Sequence, residues 1–147
     1  MAEPTKDFEE LFTLFESHNV KAVIVGAHAV AFHAKPRYTK DLDLLLEPTD
    51  ENARQVLEAL NDFGFGDLGI SIEDLATPGR VLQLGQPPNR IDLITSIDGI
   101  SFDEVWRGRV VGRYGKANVA YIGRSDLIRN KRAAGRPQDV ADLSWLE

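Results

Sequence analysis

Asp41 and Asp43 stand two residues apart in Asp41-Leu42-Asp43-Leu44-Leu45-Leu46, and a third acid, Asp92, lies inside the apolar run Arg90-Ile91-Asp92-Leu93-Ile94. Side chains on a strand alternate faces, so an i, i+2 pair points one way with its Cα atoms about 7 Å apart. Leu42 and Leu44 then point the other way, into a core. Two like charges side by side repel unless something positive lies between them. Three strand-borne carboxylates could therefore converge on hard cations such as Mg²⁺ or Mn²⁺, which take carboxylate oxygens together with substrate phosphates. Two such ions about 4 Å apart can activate an attacking oxygen and stabilise a leaving one in phosphoryl transfer. An Asp-x-Asp at a strand end also suits a solvated edge, a turn or a neighbouring helix cap, and the pair alone leaves those readings open.

The segment upstream favours the first reading. Ala22-Val23-Ile24-Val25 is a short apolar run that reads as a buried strand. Gly26 ends it, and the alanine-rich residues 27–34 read as a helix stopped before Pro36. A glycine at a strand–helix junction lets backbone approach a phosphate, and the helix start offers free N–H groups and a positive dipole end. Strand, glycine, helix, basic loop and an Asp-x-Asp strand in that order is a rarer pattern than any of its parts.

The other elements must carry these residues. Phe8, Leu11, Phe12 and Phe15 recur at helical spacing, predicting a helix from a Thr5 cap to about His18, with Asn19 as its stop. Thr49 is expected to cap a helix to about Asn61, with Ala53, Val56, Leu57 and Leu60 buried. Ser71 and Asp74 have the spacing of a capping box. Val81–Leu84 and Arg90–Ile94 read as strands of a hairpin turning through residues 86–89. Ser101 opens a short helix to Trp106, residues 108–114 and 117–122 are weaker strands, and Ser125 is expected to cap a helix to about Ala134. Gly135-Arg136-Pro137 breaks that helix, and a last one runs to Trp145. Trp106 and Trp145 are expected in the core. His28 and His33, five apart, share no helix face and make no zinc pair; His28 reads as packing at the helix start and His18 as a helix C-terminal residue. Intermixed helices and strands over 147 residues predict one α/β (α+β) domain, a mixed sheet flanked by helices.

Composition narrows the function classes. There is no cysteine, which excludes a disulfide scaffold, a cysteine-based zinc site, an iron–sulfur cluster and a thiol nucleophile. No apolar run approaches the roughly 18 residues of a membrane span, and MAEPTKDFEE lacks the apolar core of a signal peptide, so a cytoplasmic protein is expected. A net charge of −6 argues against non-specific coating of nucleic acid. The charge is unevenly spread. Residues 1–106 hold 8 Lys and Arg against 19 Asp and Glu, whereas residues 107–136 hold 9 against Asp126 alone. That basic stretch reads either as a solvated face or as a wall opposite an acidic site, suited to a phosphate-bearing ligand.

Val25-Gly26-Ala27, a thirteen-residue spacer, Asp41-Leu42-Asp43 and the later Asp92 resemble the signature of the nucleotidyltransferase superfamily with the polymerase-β-like minimal fold. The stretch from Val25 to Leu46, with His33 and Arg37-Tyr38-Thr39-Lys40-Asp41-Leu42-Asp43, more closely resembles small bacterial nucleotidyltransferase-like proteins of the DUF6036 and AbiEii-toxin-related kind. Lys131, Arg136, Asp139 and Asp142 match their closing helices. The resemblance spans about residues 8–143. It implies transfer of a nucleoside monophosphate from an NTP to a protein or RNA acceptor, in proteins that often form toxin–antitoxin or defence pairs, so that a cognate toxin or antitoxin is the implied partner. Asp41, Asp43 and Asp92 would be catalytic and hold Mg²⁺ or Mn²⁺. Gly26 and Ala27 would offer backbone N–H groups to phosphates, Arg37 and Thr39 would clamp phosphate or acceptor, and Lys131 would reach the triphosphate. The signature has Gly or Ser where Ala27 stands, so no side-chain hydroxyl is available there. A module of the same fold that binds nucleotide or a partner without transfer is the competing reading.

Overall fold

A computed structural model describes residues 6–34, 41–66, 68–85 and 90–147. The element order is α1 (Lys6–Ser17), β1 (Ala22–Val25), α2 (Gly26–His33), β2 (Asp41–Leu46), α3 (Asp50–Phe63), α4 (Ile72–Ala76), β3 (Val81–Leu84), β4 (Arg90–Ile94), α5 (Phe102–Arg107), β5 (Val110–Tyr114), β6 (Ala117–Tyr121), α6 (Arg124–Ala134) and α7 (Pro137–Leu146). The six strands form one sheet in the order β3-β4-β2-β1-β6-β5. β2 runs parallel to β4 and β1 parallel to β6; the other neighbours are antiparallel. The expected mixed sheet flanked by helices is what the chain forms, and β3 and β4 pair as the arms of the expected hairpin.

Period-two alternation sorts the strand residues between two cores. Ile24, Leu42, Leu44, Leu46, Ile91 and Leu93 face a core closed by Phe8, Leu11, Phe12 and Phe15 of α1, by α3 and by Leu75 of α4. Val23, Val25 and Leu45 face a second core made with Ala29 and Val30 of α2, Val105 of α5, Leu127 of α6 and Leu146 of α7. Three layers result, helices on each side of the sheet. Asp41, Asp43 and Asp92 have the parity of Leu45, so they share the second face with α2, α6 and α7.

Local chemistry sets the boundaries. Thr49 caps α3 by accepting from the Asn52 N–H, and Gly64 ends it in a left-handed conformation. Capping boxes open α4 at Ser71 and α5 at Ser101. Buried Asn52 accepts from the Lys21 N–H and donates to the carbonyls of Lys21 and Glu47, fastening the start of β1 to the start of α3. His18, at the end of α1, bonds Asp62 of α3 at 2.8 Å. Three expectations change. α6 starts two residues earlier, with Gly123 rather than Ser125 in the cap position and no side-chain cap. Trp145 is 55% exposed, because α7 buries Asp139, Asp142 and Leu146 instead. Trp106 is half-buried, with the Arg109 guanidinium stacked 3.8 Å from its ring centre.

Candidate active site

The site forms where antiparallel β1 and β2 bring the end of one strand beside the start of the other. Val25 pairs with Asp43, and Gly26 follows to start α2. Gly26 has φ +68°, and a Cβ there would overlap Asp43 Oδ2. Glycine is required twice over, by the left-handed backbone and by the carboxylate seated against it. On the other side of β2, parallel β4 places Asp92 directly opposite Asp43 and Arg90 directly opposite Asp41. Two neighbouring strands thus present a two-by-two patch of three acids and one arginine on the α2/α6/α7 face.

Charge in this patch is poorly balanced. Burial, the facing Asp92 charge, a hydrogen bond shared with Asp92 and the nearby Asp41 push the Asp43 carboxyl up to about 6; Arg90 offsets them in part. Arg90 Nη2 donates to Asp41 Oδ2 at 3.0 Å, and Arg90 Nε faces Asp92 Oδ1 at 3.4 Å. Neither Arg90 Nε nor buried Asp92 Oδ1 makes a hydrogen bond. Among the described residues no three His, Asp or Glu side chains are gathered as a ready metal cage, and Asp41 is turned to Arg90. The donor set nevertheless fits a hard divalent cation. Its oxygens are all carboxylate, Asp92 Oδ1 is buried without a donor, and the acids repel each other in a way that a cation would relieve.

A cleft of about 290 Å³ opens from this patch, lined by Gly26, Asp43, Ser96, Asp98, Asn130 and Arg136 among others. One wall is the acidic sheet edge and the other is α6 with the Arg136 turn. Arg136 leaves its guanidinium largely exposed while fixed by Asp139 at 2.7 and 3.2 Å. Burial alone would raise the Asp139 carboxyl, but hydrogen bonds from Arg136 and Lys131 outweigh it and bring it down to about 2. Lys131 is buried, with Nζ 3.0 Å from Asp139 and 3.1 Å from Asp142. Its charge is therefore neutralised by two protein carboxylates, and it borders the cleft with that charge turned to them. A larger cavity of about 370 Å³ lies between α1 and the β6–β5 end of the sheet, lined by Phe12, Phe15, Trp106 and Val119 among others. None of the acids lines it.

The structure brings together Asp43, Asp92, Asp41 and Gly26, with Ala27 in the first turn of α2. Arg37 and Thr39 lie outside the described residues, as does the turn at 86–89. His33 Nε2 bonds the Ile122 carbonyl at 2.6 Å, tying α2 to the end of β6. His28 packs edge-on to Phe8; burial lowers its pKa, opposed by Asp41. The residues missed as site members are Arg90 and Arg136. Arg90 carried a signal, since it stands at i−2 from Asp92 and must share its face. Arg136 carried a signal too, since it matches the closing helices of the family resemblance, but that match gave it no site role.

The fold has been seen before. A Thermotoga maritima protein assigned as a nucleotidyltransferase superposes with a TM-score of 0.62 at 10% identity, covering 93% of this chain and 88% of that one. The lincosamide antibiotic adenylyltransferase LnuA, in its lincomycin-bound structure, superposes with a TM-score of 0.57 at 12% identity, covering 99% and 98%. No curated protein matches the chain in sequence. Residues 5–145 match the model of the family described as nucleotidyltransferase of unknown function, DUF6036. Fold and sequence agree: the chain belongs to the DUF6036 nucleotidyltransferases.

Proposed function

We propose that the chain transfers a nucleoside monophosphate from an NTP to a hydroxyl acceptor, with Mg²⁺ or Mn²⁺ held by Asp43, Asp92 and Asp41. The observation that carries this reading is the side-by-side placement of Asp43 and Asp92 on paired strands, with Asp43 lining the cleft next to the glycine that opens α2. When bound, the metal would neutralise the triphosphate and favour the ionised acceptor oxygen. The N–H groups of Gly26 and Ala27, at the positive end of α2, would bind the terminal phosphates. Arg136, its Nε and Nη2 edge held by Asp139, would offer the exposed remainder of its guanidinium to phosphate oxygens from the opposite wall. The acceptor oxygen would bond the α-phosphorus, the bond to the β-phosphate bridging oxygen would break, and pyrophosphate would leave. Asp92 would take the acceptor proton or orient the hydroxyl. Catalysis on this arrangement is mainly positioning and charge neutralisation. Arg37 and Thr39 remain proposed contacts to phosphate or acceptor. Lys131 enters this reading indirectly, as the anchor of the Asp139 that aims Arg136.

The acceptor classes are a protein side chain or an RNA end, as the resemblance implies, and small hydroxylated molecules, as in the lincosamide adenylyltransferase. A toxin–antitoxin or defence pairing with a cognate protein is the partner reading. No helix among the described residues is long and apolar enough to cross a membrane. A binding module without transfer is the second reading; Ala27, which lacks a hydroxyl, and the Arg90 bridge to Asp41 favour it. Thermal unfolding with each of the four NTPs, with and without Mg²⁺, tests the site. One NTP should stabilise wild type only with metal and leave Asp43→Asn unaffected; ligand at about 100 times its Kd adds roughly 2.7 kcal/mol. Labelled-nucleotide transfer then separates the readings. Full transfer activity in both Asp41→Asn and Asp43→Asn would sink the assignment.

A further inference from the structure

Arg90 is an odd neighbour for a cation site. Its guanidinium spans the patch, reaching Asp41 Oδ2 through Nη2 at 3.0 Å and Asp92 Oδ1 and Oδ2 at 3.4 and 3.5 Å. Parallel pairing of β2 and β4 fixes it there, because Asp41 and Arg90 are register partners and Arg90 shares its face with Asp92. The bridge is loose at one end. Arg90 Nε and Asp92 Oδ1 face each other without a hydrogen bond, although both atoms are buried. The arginine on the opposite wall of the cleft is held differently: Arg136 grips Asp139 through Nε at 2.7 Å and Nη2 at 3.2 Å. Arg90 also has a way out, with about a third of its side chain exposed.

We propose that Arg90 is a built-in counter-cation that occupies the carboxylate site in the metal-free protein and must be displaced for a divalent cation to bind. The proposal rests on the metal site of the preceding subsection. A guanidinium only donates hydrogen bonds and cannot share the oxygens it faces with a cation ligating them. A dication draws the acids more strongly than a single delocalised charge does, so it wins at sufficient concentration, and the arginine moves outward. Turned outward, its planar fork is free to take phosphate oxygens. Metal and a phosphate-bearing ligand then favour each other's binding, since each removes a competitor of the other, and that coupling is reciprocal. The residue thus keeps the acids from repelling one another in the empty protein and makes the metal alone a weak ligand.

The test is Mn²⁺ binding by calorimetry, without nucleotide, to wild type, Arg90→Gln and Asp43→Asn. Arg90→Gln should bind Mn²⁺ roughly ten-fold or more tightly than wild type, a decade being about 1.4 kcal/mol. Equal or weaker binding by Arg90→Gln, with binding abolished in Asp43→Asn, would overturn the proposal and leave the metal site standing. Undiminished binding by Asp43→Asn would instead overturn the metal site itself. A measurement on wild type alone covers a variant that fails to fold: the Arg90 Nε–H resonance, followed as Mg²⁺ is added. It should shift in step with metal binding; an unmoved resonance while the Asp43 and Asp92 amides shift would refute displacement.

Discussion

Replacing Asp43 by Asn should make the metal-free protein more stable at neutral and alkaline pH. Burial and the neighbouring Asp92 raise the carboxyl from 3.8 to about 6. The folded state therefore holds this proton more tightly than the unfolded chain does. With the folded value above the unfolded one, the favourable contribution is complete below about pH 4 and is lost as pH rises through about 6. The shift is about two units at ~1.4 kcal/mol each, so the full penalty at pH 8 would be ~3 kcal/mol. Asp43 is half-buried and Arg90 can adjust, so screening reduces this to about 1–2 kcal/mol. Asparagine carries no charge and can still donate to Asp92, so it removes the penalty. Urea or thermal unfolding in EDTA at pH 8 should show Asp43→Asn more stable by that amount, about 3–8 °C in Tm for a chain of this size. The gain should shrink toward zero at pH 4. Saturating Mg²⁺ should reverse the order, by stabilising wild type alone. A variant no more stable than wild type at pH 8, or a difference that does not change with pH, would refute the reasoning.

Three further outcomes follow from the same geometry. Lys131→Met leaves Asp139 and Asp142 buried without their ammonium and should lower the free energy of unfolding by about 3–5 kcal/mol in urea; a loss below ~1 kcal/mol would contradict a buried charge cluster. Gly26→Ala forces a left-handed residue and a methyl into Asp43, so it should cost at least ~1–2 kcal/mol and abolish Mn²⁺-dependent stabilisation by nucleotide. Retained metal-dependent stabilisation in that variant would mean that the β1–α2 junction lies off the site. Asn52→Ala strands the Lys21 N–H and the carbonyls of Lys21 and Glu47, and should cost about 1–3 kcal/mol without changing nucleotide binding; unchanged nucleotide titrations would separate this cap from the catalytic face.

The sequence makes the acids legible because strand periodicity is exact. Asp41 and Asp43 must share a face, and Leu42 and Leu44 must share the other, whatever the sheet order. Caps at Thr49, Ser71 and Ser101 are equally local and equally visible. Sheet order is not local. Nothing in RIDLI says that β4 lies parallel to β2 in the register that opposes Asp92 to Asp43, because long-range pairing decides it. The same limit hid the state of Lys131. On a helix with six other polar residues, a lysine reads as surface or ligand-facing, and only α7 docking Asp139 and Asp142 against it shows that its charge is already spent. Trp145 failed for the converse reason: α7 turns its acids inward to meet that lysine, so its tryptophan faces out.

Two pairs of buried or half-buried aspartates on one face of the sheet separate scaffold from site. Asp139 and Asp142 are matched by a buried lysine, and hydrogen bonds from Arg136 and that lysine drive Asp139 down to about 2. Among the described residues, the cation in contact with Asp92 is Arg90, held at 3.4 Å or more and able to reach solvent, and Asp43 is driven up to about 6. The chemistry of the side chains is the same in both pairs; the difference is in the counter-charge. A fold selected for stability alone would complete the second pair as it completed the first. Leaving it incomplete costs stability and gains a place where a cation is wanted. The Gly26 backbone and the cleft open onto that place and not onto the Lys131 cluster's carboxylates. This asymmetry, more than the presence of three acids, is the physical reason to look for turnover at β2 and β4.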